Sequence, residues 1–263
     1  MFRATAKFLG KSQLEEVRIH LGDYTVEYNG KRYDTSALKW DSPATGTVYG
    51  TALNYQGALA ALGDAVYESP YQAPPQAPVM YIKPANTLIG CGQPIPLPED
   101  VTELEMGAAL GVVIARPAFH VSEAEVLDYV IGYTVANDVS IPHRSVYRPA
   151  ISQKCRDGFC PLGPWIIQRE AVADPDRLGV RVYINGQLRQ ENTTANLIRS
   201  VPRLIADIAE FMTLNAGDVL LVGVPEGAPL ARAGDRVRIE IEQVGCLDNI
   251  VVPEQELLGG GAA

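Results

Sequence analysis

Two Asn-Gly dipeptides, each next to runs of alternating apolar and polar residues, constrain this chain more than any other local feature. Asn29-Gly30 lies within YTVEYNGKRYDT, and Asn185-Gly186 follows the alternating stretch from Leu178 to Ile184. Asn-Gly favours the backbone conformation of the two-residue hairpin turn, so both sites predict antiparallel strand pairs. We therefore expect antiparallel sheet in both halves of the chain.

Further short segments have the length and the β-branched or alternating character of strands. They are residues 48–53, 79–82, 110–114 (LGVVI), 217–225 and 236–242. Helical signals are fewer. A helical stretch follows Asn54-Tyr55. A capping-box pattern at Ser122 predicts a helix through Ile131 that ends at Gly132.

The clearest helix is predicted over residues 200–212, with Ser200 as N-cap and Pro202 in the first turn. Its apolar stripe consists of Val201, Leu204, Ile205, Ile208, Phe211 and Met212. Many strands and few helices favour a β-rich α+β fold over a doubly wound sheet. We expect a small N-terminal β domain over residues 1–45, a main domain over 46–256 and a flexible tail over 257–263.

Composition narrows the class of partner. The chain has 263 residues and a formal net charge of −9. An acidic chain without a run of Lys or Arg is a poor match for nucleic acid or an anionic membrane. It carries no apolar run of the roughly 18 residues that a spanning helix needs, and its start lacks the pattern of a secretory leader. We expect a cytoplasmic protein whose four scattered cysteines are reduced thiols.

The densest group of polar residues follows one apolar strand. The segment from Tyr133 ends in Asn137-Asp138, and Lys154, Arg156 and Asp157 lie beyond a polar loop. Binding and catalytic groups often lie at a strand end and on the loop after it, so this segment is the candidate site. A charged surface loop is the alternative interpretation of the same residues.

Six motifs in order resemble the fumarylacetoacetate hydrolase superfamily. They are LNY at 53–55, KP at 83–84, ANDVS at 136–140, KCRDGFCPLGP at 154–164, MTLNAGDVLLVGVPEG at 212–227 and AGDRVRIEIEQVG at 233–245. The resemblance implies the family's mixed β-roll, preceded by the small N-terminal β domain. Within the family, YRPAISQKCRDGFCP is similar to the N-terminal half of the bifunctional decarboxylase/isomerases of homoprotocatechuate (4-hydroxyphenylacetate) catabolism.

The resemblance also implies a chemistry. Family members hold Mg²⁺ or Mn²⁺ with three carboxylates, and the ion stabilises negative charge that develops on a 2-oxo acid. The implied substrates are 5-oxopent-3-ene-1,2,5-tricarboxylate and 2-hydroxyhepta-2,4-diene-1,7-dioate. A lysine and arginines bind the outlying carboxylates, and a His–Glu pair in a lid moves protons.

This chain departs from the metal-binding pattern. Gly107-Ala108-Ala109 occupies the slot of the family's Glu-x-Glu, and only Asp138 matches a ligand position. Glu103 and Glu105 lie earlier in the chain. The pair begins four residues before the expected slot at Gly107, and four residues of strand span about 13 Å. This offset is far larger than a Mg²⁺–oxygen distance of about 2.1 Å. We therefore expect no metal cofactor, with Mg²⁺ or Mn²⁺ only if those two glutamates supply the missing ligands.

Proton-transfer positions differ as well. Gly57-Ala58 replaces the histidine that follows LNY in the family, Pro142-His143 replaces Arg-Asp, and Val224 replaces a threonine. His143 is either a replacement acid/base, since histidine changes charge near neutral pH, or an exposed loop residue.

The resemblance carries the remaining site residues to this chain. Lys154, Asp157 and Asp138 match catalytic positions, although Lys154 and Asp157 also suit a structural ion pair. Substrate-binding positions are matched by Tyr147, Arg148, Arg156, Asn54 and Tyr55.

Two functions of different class remain open. The chain is either a subunit of the decarboxylase/isomerase with a degenerate metal site, or a non-catalytic partner of a metal-bearing paralogue. A C–C hydrolase or oxo-acid decarboxylase acting on another substrate is a further alternative. In each case the small-molecule ligand is a dicarboxylate or tricarboxylate oxo acid. We expect a dimer, either with itself or with the paralogue.

Overall fold

Both Asn-Gly turns close antiparallel hairpins in the structure, a computed structural model that describes residues 1–69, 71–143 and 150–259. Tyr28 pairs with Lys31 around the first turn, and Ile184 pairs with Gln187 around the second. The turn residues Asn29 and Asn185 have φ of 51° and 52°. These positive φ values are what a turn of this type requires, so the hairpin predictions are confirmed.

The described residues form short strands and four short α-helices. The strands are β1 Phe2–Phe8, β2 Glu15–His20, β3 Thr25–Tyr28, β4 Lys31–Asp34, β5 Trp40–Asp41, β6 Val48–Ala52, β7 Val79–Lys83, β8 Leu88–Ile89, β9 Pro94–Leu97, β10 Leu104–Glu105, β11 Ala108–Ile114, β12 Val130–Asn137, β13 Cys160–Gln168, β14 Gly179–Ile184, β15 Gln187–Thr193, β16 Val219–Leu221, β17 Leu230–Ala231, β18 Arg236–Ile241 and β19 Gly245–Pro253. The helices are α1 Gln56–Ala60, α2 Ile151–Lys154, α3 Val201–Ala209 and α4 Glu254–Gly259. The β-rich α+β prediction is confirmed.

Two sheets carry most of the fold. The larger runs β4-β3-β2-β1-β13-β12-β11-β16-β6-β7, with β5 beside β1 and β8 beside β13. The smaller runs β15-β14-β18-β19-β9. Because β1 pairs with β13, the N-terminal strands extend the large sheet. The division at residue 45 and the tail from residue 257 stay predictions.

The central strands of the large sheet are buried on both faces. Every residue of β11 is buried, and β12 is buried except at Ile131 and β13 except at Gln168. A strand covered on both faces shows a continuous apolar run instead of alternation, and LGVVI has that character. The alternating β18 instead buries Val237, Ile239 and Ile241 on one face. Among the described residues no helix is long and apolar enough to cross a membrane.

The helix predicted from Ser122 to Ile131 is wrong. Ser122 Oγ donates to the Glu125 carboxylate at 2.6 Å, a bond between side chains and not the side-chain to main-chain pair of a capping box. Only a 3₁₀ turn over Val126–Tyr129 follows, and β12 begins at Val130. Strand pairing between β11 and β12 over seven residue pairs outweighs the local helix signal.

The second predicted helix is confirmed as α3. Ser200 Oγ accepts a hydrogen bond from the N–H of Arg203, and a proline stands in the first turn. Val201, Leu204, Ile205 and Ile208 are buried. The helix ends before Phe211, however, whose ring is 64% exposed, so its predicted place on the buried stripe is wrong.

Ser200→Ala tests the cap. Removing the hydroxyl leaves an N–H of the first turn without its partner and should lower the free energy of unfolding by about 1 kcal/mol. Urea unfolding followed by circular dichroism measures the loss. Ser12→Ala, at an exposed bend, is the control and should change stability by less than about 0.5 kcal/mol. Equal effects of the two substitutions would contradict the capping role.

Candidate active site

Asp138 is the centre of the candidate site. It follows β12 directly and is buried, and its N–H donates to the carbonyl of Gly107 at 2.8 Å. The Lys83 ammonium lies 2.7 Å from Oδ1, and the Lys154 ammonium lies 2.9 Å from Oδ2. The Tyr81 hydroxyl also donates to Oδ2. One buried carboxylate is therefore shared by two lysines and a tyrosine.

Lys83 is a fully buried lysine with a complete set of hydrogen-bond partners. Its ammonium donates to the carbonyls of Val139, Lys154 and Phe159 at 2.9, 2.8 and 2.9 Å. An ammonium has three N–H groups, so none is left for Asp138. The contact with Oδ1 is an ion pair without an aligned hydrogen bond.

Lys154 differs from Lys83 because it reaches the surface of a cavity. Its side chain is 19% exposed, against 0% for Lys83. Its ammonium lies 4.9 Å from the centroid of the Tyr81 ring. Since Lys83 already balances the Asp138 charge, Lys154 gives the cluster a net positive charge that faces the cavity.

Burial and the lysines act in opposite directions on the aspartate. Burial raises the pKa of the Asp138 carboxyl, but the ammonium groups of Lys154 and Lys83 outweigh it and hold that pKa well below its ordinary value. Burial, with Asp138 beside it, raises the pKa of Tyr81, which keeps the phenol neutral and a donor. The site is thus a fixed ion cluster at neutral pH.

The cavity over this cluster has a volume of about 330 Å³. Its wall includes Tyr81, Glu105, Asp138, His143, Lys154 and Glu226. Val224, which replaces the family's threonine, lies on the same wall and offers no hydroxyl. A space of this size suits a small organic acid.

Gly57 and Glu226 fit each other at the rim of this cavity. A Cβ added to Gly57 would overlap both carboxylate oxygens of Glu226. Glu226 Oε1 also accepts a hydrogen bond from Asn192 Nδ2 at 3.2 Å. The segment where the resemblance places a histidine is therefore covered by the Glu226 carboxylate.

The residues at this site do not fit a divalent metal ion. Both Asp138 oxygens already contact ammonium groups, and Glu103 pairs with Arg232 at 3.2 Å. A Cβ on Gly107 would collide with the main-chain oxygen of Asp138, so no side chain fits there in this backbone. Within the described ranges, no three His, Cys, Asp or Glu side chains are grouped to hold a metal. Mg²⁺ needs several oxygen ligands and would have to displace two cations.

A metal titration checks this. Calorimetry of the purified chain with Mg²⁺ or Mn²⁺ should give no tight stoichiometric binding, since two lysines already pair with Asp138 and Glu105 alone offers too few oxygen ligands. Asp138→Asn is the matched control and should give the same heats as the native chain. Stoichiometric binding that Asp138→Asn removes would show that the ion displaces the lysines.

The other residues assigned from the resemblance lie apart from this cavity or outside the described residues. Asp157 is exposed and accepts a hydrogen bond from Asn86 Nδ2 at 2.6 Å. Arg156 Nε donates to the Ser152 carbonyl at 3.0 Å. Tyr147 and Arg148 lie outside the described residues. The roles given to these four residues stay predictions.

Asn54 and Tyr55 are buried beneath the site region. Asn54 Nδ2 donates to the Val222 carbonyl at 2.8 Å, and Oδ1 accepts from the Arg199 N–H at 3.0 Å. These bonds join the end of β6 to two other segments. Burial, with Glu226 nearby, raises the pKa of Tyr55. Both residues contribute to the framework here, and their substrate-binding role stays a prediction.

Sequence reasoning missed Lys83 and Tyr81 as site residues. They are two positions apart on β7, so their side chains leave the same face of the strand. A lysine at the end of an apolar strand was the available signal, because a buried lysine requires a charged or carbonyl partner.

Comparisons with known proteins define the class. Residues 47–252 match the family model of the fumarylacetoacetate (FAA) hydrolase C-terminal region, and the chain belongs to that family. The predicted family is confirmed, as is the roll. A solved structure of 5-carboxymethyl-2-hydroxymuconate delta-isomerase from Mycobacterium smegmatis has a TM-score of 0.75 at 30% identity. It covers 96% of this chain and 99% of its own.

More particular relatives agree with the motif-based resemblance. The 4-hydroxyphenylacetate degradation bifunctional isomerase/decarboxylase of Escherichia coli is 43% identical over 212 residues, or 81% of this chain and 48% of that protein. A mitochondrial oxaloacetate tautomerase of Xenopus laevis is 37% identical over 188 residues, 68% of this chain and 59% of its own length. The chain thus spans about half the length of the bifunctional relatives it matches. These relatives are enzymes by name.

Proposed function

We propose that this chain is a unit of the decarboxylase/isomerase system of 4-hydroxyphenylacetate (homoprotocatechuate) catabolism, with a metal-free site of weak activity. The substrates are 5-oxopent-3-ene-1,2,5-tricarboxylate and 2-hydroxyhepta-2,4-diene-1,7-dioate. The observation that carries the proposal is the Lys83–Asp138–Lys154 cluster, which turns one ammonium towards a cavity. The named relatives supply the reaction class.

Decarboxylation of the tricarboxylate needs an electron sink for the pair released when the C–C bond breaks. As the bond between C2 and its carboxylate breaks, the electron pair moves through the C3–C4 ene group to the C5 oxo oxygen, and CO₂ leaves. Lys154 donates a hydrogen bond to that oxygen and stabilises its developing negative charge. Asp138 holds the Lys154 ammonium in place, and Lys83 donates to the Lys154 main-chain carbonyl. A point charge of this kind stabilises the oxyanion less than a metal ion does, so the rate is low.

A non-catalytic role is the second candidate, and Gly107 favours it. The backbone at that position excludes a ligand side chain, while the fold is retained. In this alternative the chain is a structural partner of a paralogue with an intact metal site. We propose a dimer in both cases, formed either with itself or with that paralogue.

A spectrophotometric assay of the purified chain on the tricarboxylate separates the candidates. It is run with and without Mg²⁺, and with the chain alone or mixed with the metal-bearing paralogue. The proposal expects slow, metal-independent turnover by the chain alone. Turnover only in the mixture would reject catalysis here and support the structural role. Sedimentation of the same samples reports which dimer forms.

A further inference from the structure

The side chains of His143 and Glu105, on one wall of the cavity, are suited to moving a proton. Neither has a role in the decarboxylation step above. Glu105 and Ser140 exchange main-chain hydrogen bonds of 2.8 and 3.2 Å, which fixes β10 beside the segment after Asp138. His143 lies on that segment. Glu105, His143 and Lys154 line the same cavity.

The hydrogen bonds of His143 define which ring nitrogen is basic. Nδ1 lies 2.9 Å from the Ile141 carbonyl oxygen and 3.2 Å from Ser140 Oγ. A carbonyl oxygen can only accept, so Nδ1 carries the hydrogen. In the neutral ring Nε2 then holds the lone pair, which is the form that a general base needs.

Glu105 places a carboxylate on the same cavity wall as this ring, close enough for the two to interact electrostatically. Burial raises the pKa of its carboxyl, His143 and Lys154 counteract that rise, and Asp138 adds to it. Glu226 and Tyr81 are the other titratable side chains named on this wall. Within the described part of the chain, the Glu105 side chain has no hydrogen-bond donor of its own. Its carboxylate is thus free to stabilise an imidazolium.

The sequence contains three histidines, and His143 is the one that lines this cavity. Gly57 and Ala58 occupy the positions where the resemblance places the family's lid histidine. His143 is therefore the histidine that this cavity offers to carry a proton in a tautomerisation.

We propose that His143, supported by Glu105, is the proton carrier of the isomerase step; this rests on the proposed function. Nε2 accepts the hydroxyl proton of the 2-hydroxydiene, and the O–H electron pair becomes the new C=O bond. The double bonds shift, and one diene carbon takes the proton back from Nε2. Atoms and electrons balance without any other reagent. Decarboxylation first yields the dienolate, whose oxygen takes a proton from solvent water to give the dienol. No carbon is protonated in that step, so it does not require His143.

The test follows both steps with the purified chain and the tricarboxylate. His143→Asn keeps a donor near the Nδ1 position but removes the base. We expect the dienol to form at the native rate and then accumulate, because its conversion to the oxo form slows about 100-fold. Glu105→Gln should slow the same step to a smaller extent. Added imidazole should restore the step in His143→Ala. His120→Asn, at an exposed histidine, is the matched control and should leave both rates unchanged.

Each possible result either supports or overturns the proposed roles of His143 and Glu105. Retained decarboxylation shows that a variant is folded, and selective loss of the second step with imidazole rescue supports the pair. Native rates of both steps in His143→Asn would overturn it. Equal loss of both steps without rescue would make His143 structural and also overturn it. A native chain that performs neither step removes the proposed function, and the pair with it.

Discussion

Replacing Lys83 with methionine is expected to lower the free energy of unfolding by about 3–5 kcal/mol, the range for removing one partner of a buried ion pair. Methionine matches the length of the lysine stem but removes the ammonium donor from three carbonyls, of which, within the described residues, only that of Phe159 keeps another donor, the Val139 N–H. It also leaves Asp138 with a single cation. Guanidinium unfolding of the two proteins at neutral pH measures the difference.

Lys7→Met is the matched control. Lys7 pairs with Asp41 at 2.8 Å, nearly the distance of the Lys83 pair, but both side chains are partly exposed. A pair of that kind contributes only about 0–1 kcal/mol. Equal losses in the two variants would refute the structural role of Lys83. The double variant Lys83→Met/Asp138→Asn should lose less than the sum of its single changes.

Lys83→Met should also move the acid unfolding transition to higher pH. The folded-state pKa of Asp138 lies below its ordinary value, so its contribution to stability is present above a pH of about 4. The contribution is lost as the pH falls through the folded-state pKa. Removing Lys83 raises that pKa and shortens the range of acid resistance. An unchanged acid midpoint would show that Lys154 alone controls Asp138.

Replacing Lys154 with methionine is expected to reduce kcat/KM for decarboxylation by about 10²- to 10³-fold, the loss typical of removing one oxyanion donor. Stability should change less than in Lys83→Met, since the Lys154 side chain is partly exposed and Lys83 still neutralises Asp138. Initial rates with the metal-free chain, at several substrate concentrations, measure the effect.

Arg156→Met tests whether Arg156, as well as Lys154, supplies positive charge to the substrate. The motif resemblance assigns Arg156 to the substrate, whereas its guanidinium contacts Ser152 and, at 3.9 Å, Asp100. From the geometry we expect a change of only a few-fold. A loss as large as that of Lys154→Met would favour the resemblance, and native activity in Lys154→Met would reject the oxyanion role.

The sequence predicted correctly those turns and helix ends that depend only on residues adjacent in the chain. Asn-Gly needs only its own backbone preferences to form a hairpin, and Ser200 caps the helix that starts at the next residue. The segment after Ser122 has a similar capping sequence, but β12 begins at Val130 because β11 pairs with it. Phe211 is exposed because α3 ends at Ala209.

Prediction of the site residues from the sequence had the same limit, because contacts between distant segments could not be foreseen. Asp138 and Lys154 were found because motif order marks them, and the missing Glu-x-Glu was visible in the sequence. Lys83 lies in the KP motif but was not assigned a role, because only the fold brings it to Asp138 and to carbonyls 56, 71 and 76 residues away. The packing of Glu226 against Gly57 likewise depends on two segments that only the fold brings together.

The tight approach at Gly107 leaves no room for a carboxylate side chain directly before β11 in this backbone. Gly107→Glu by itself would drive a side chain into the main-chain oxygen of Asp138. A descendant of this protein would have to shift the backbone before β11 and release two cations before any new carboxylate became useful. A metal centre at this position is therefore out of reach of a single substitution.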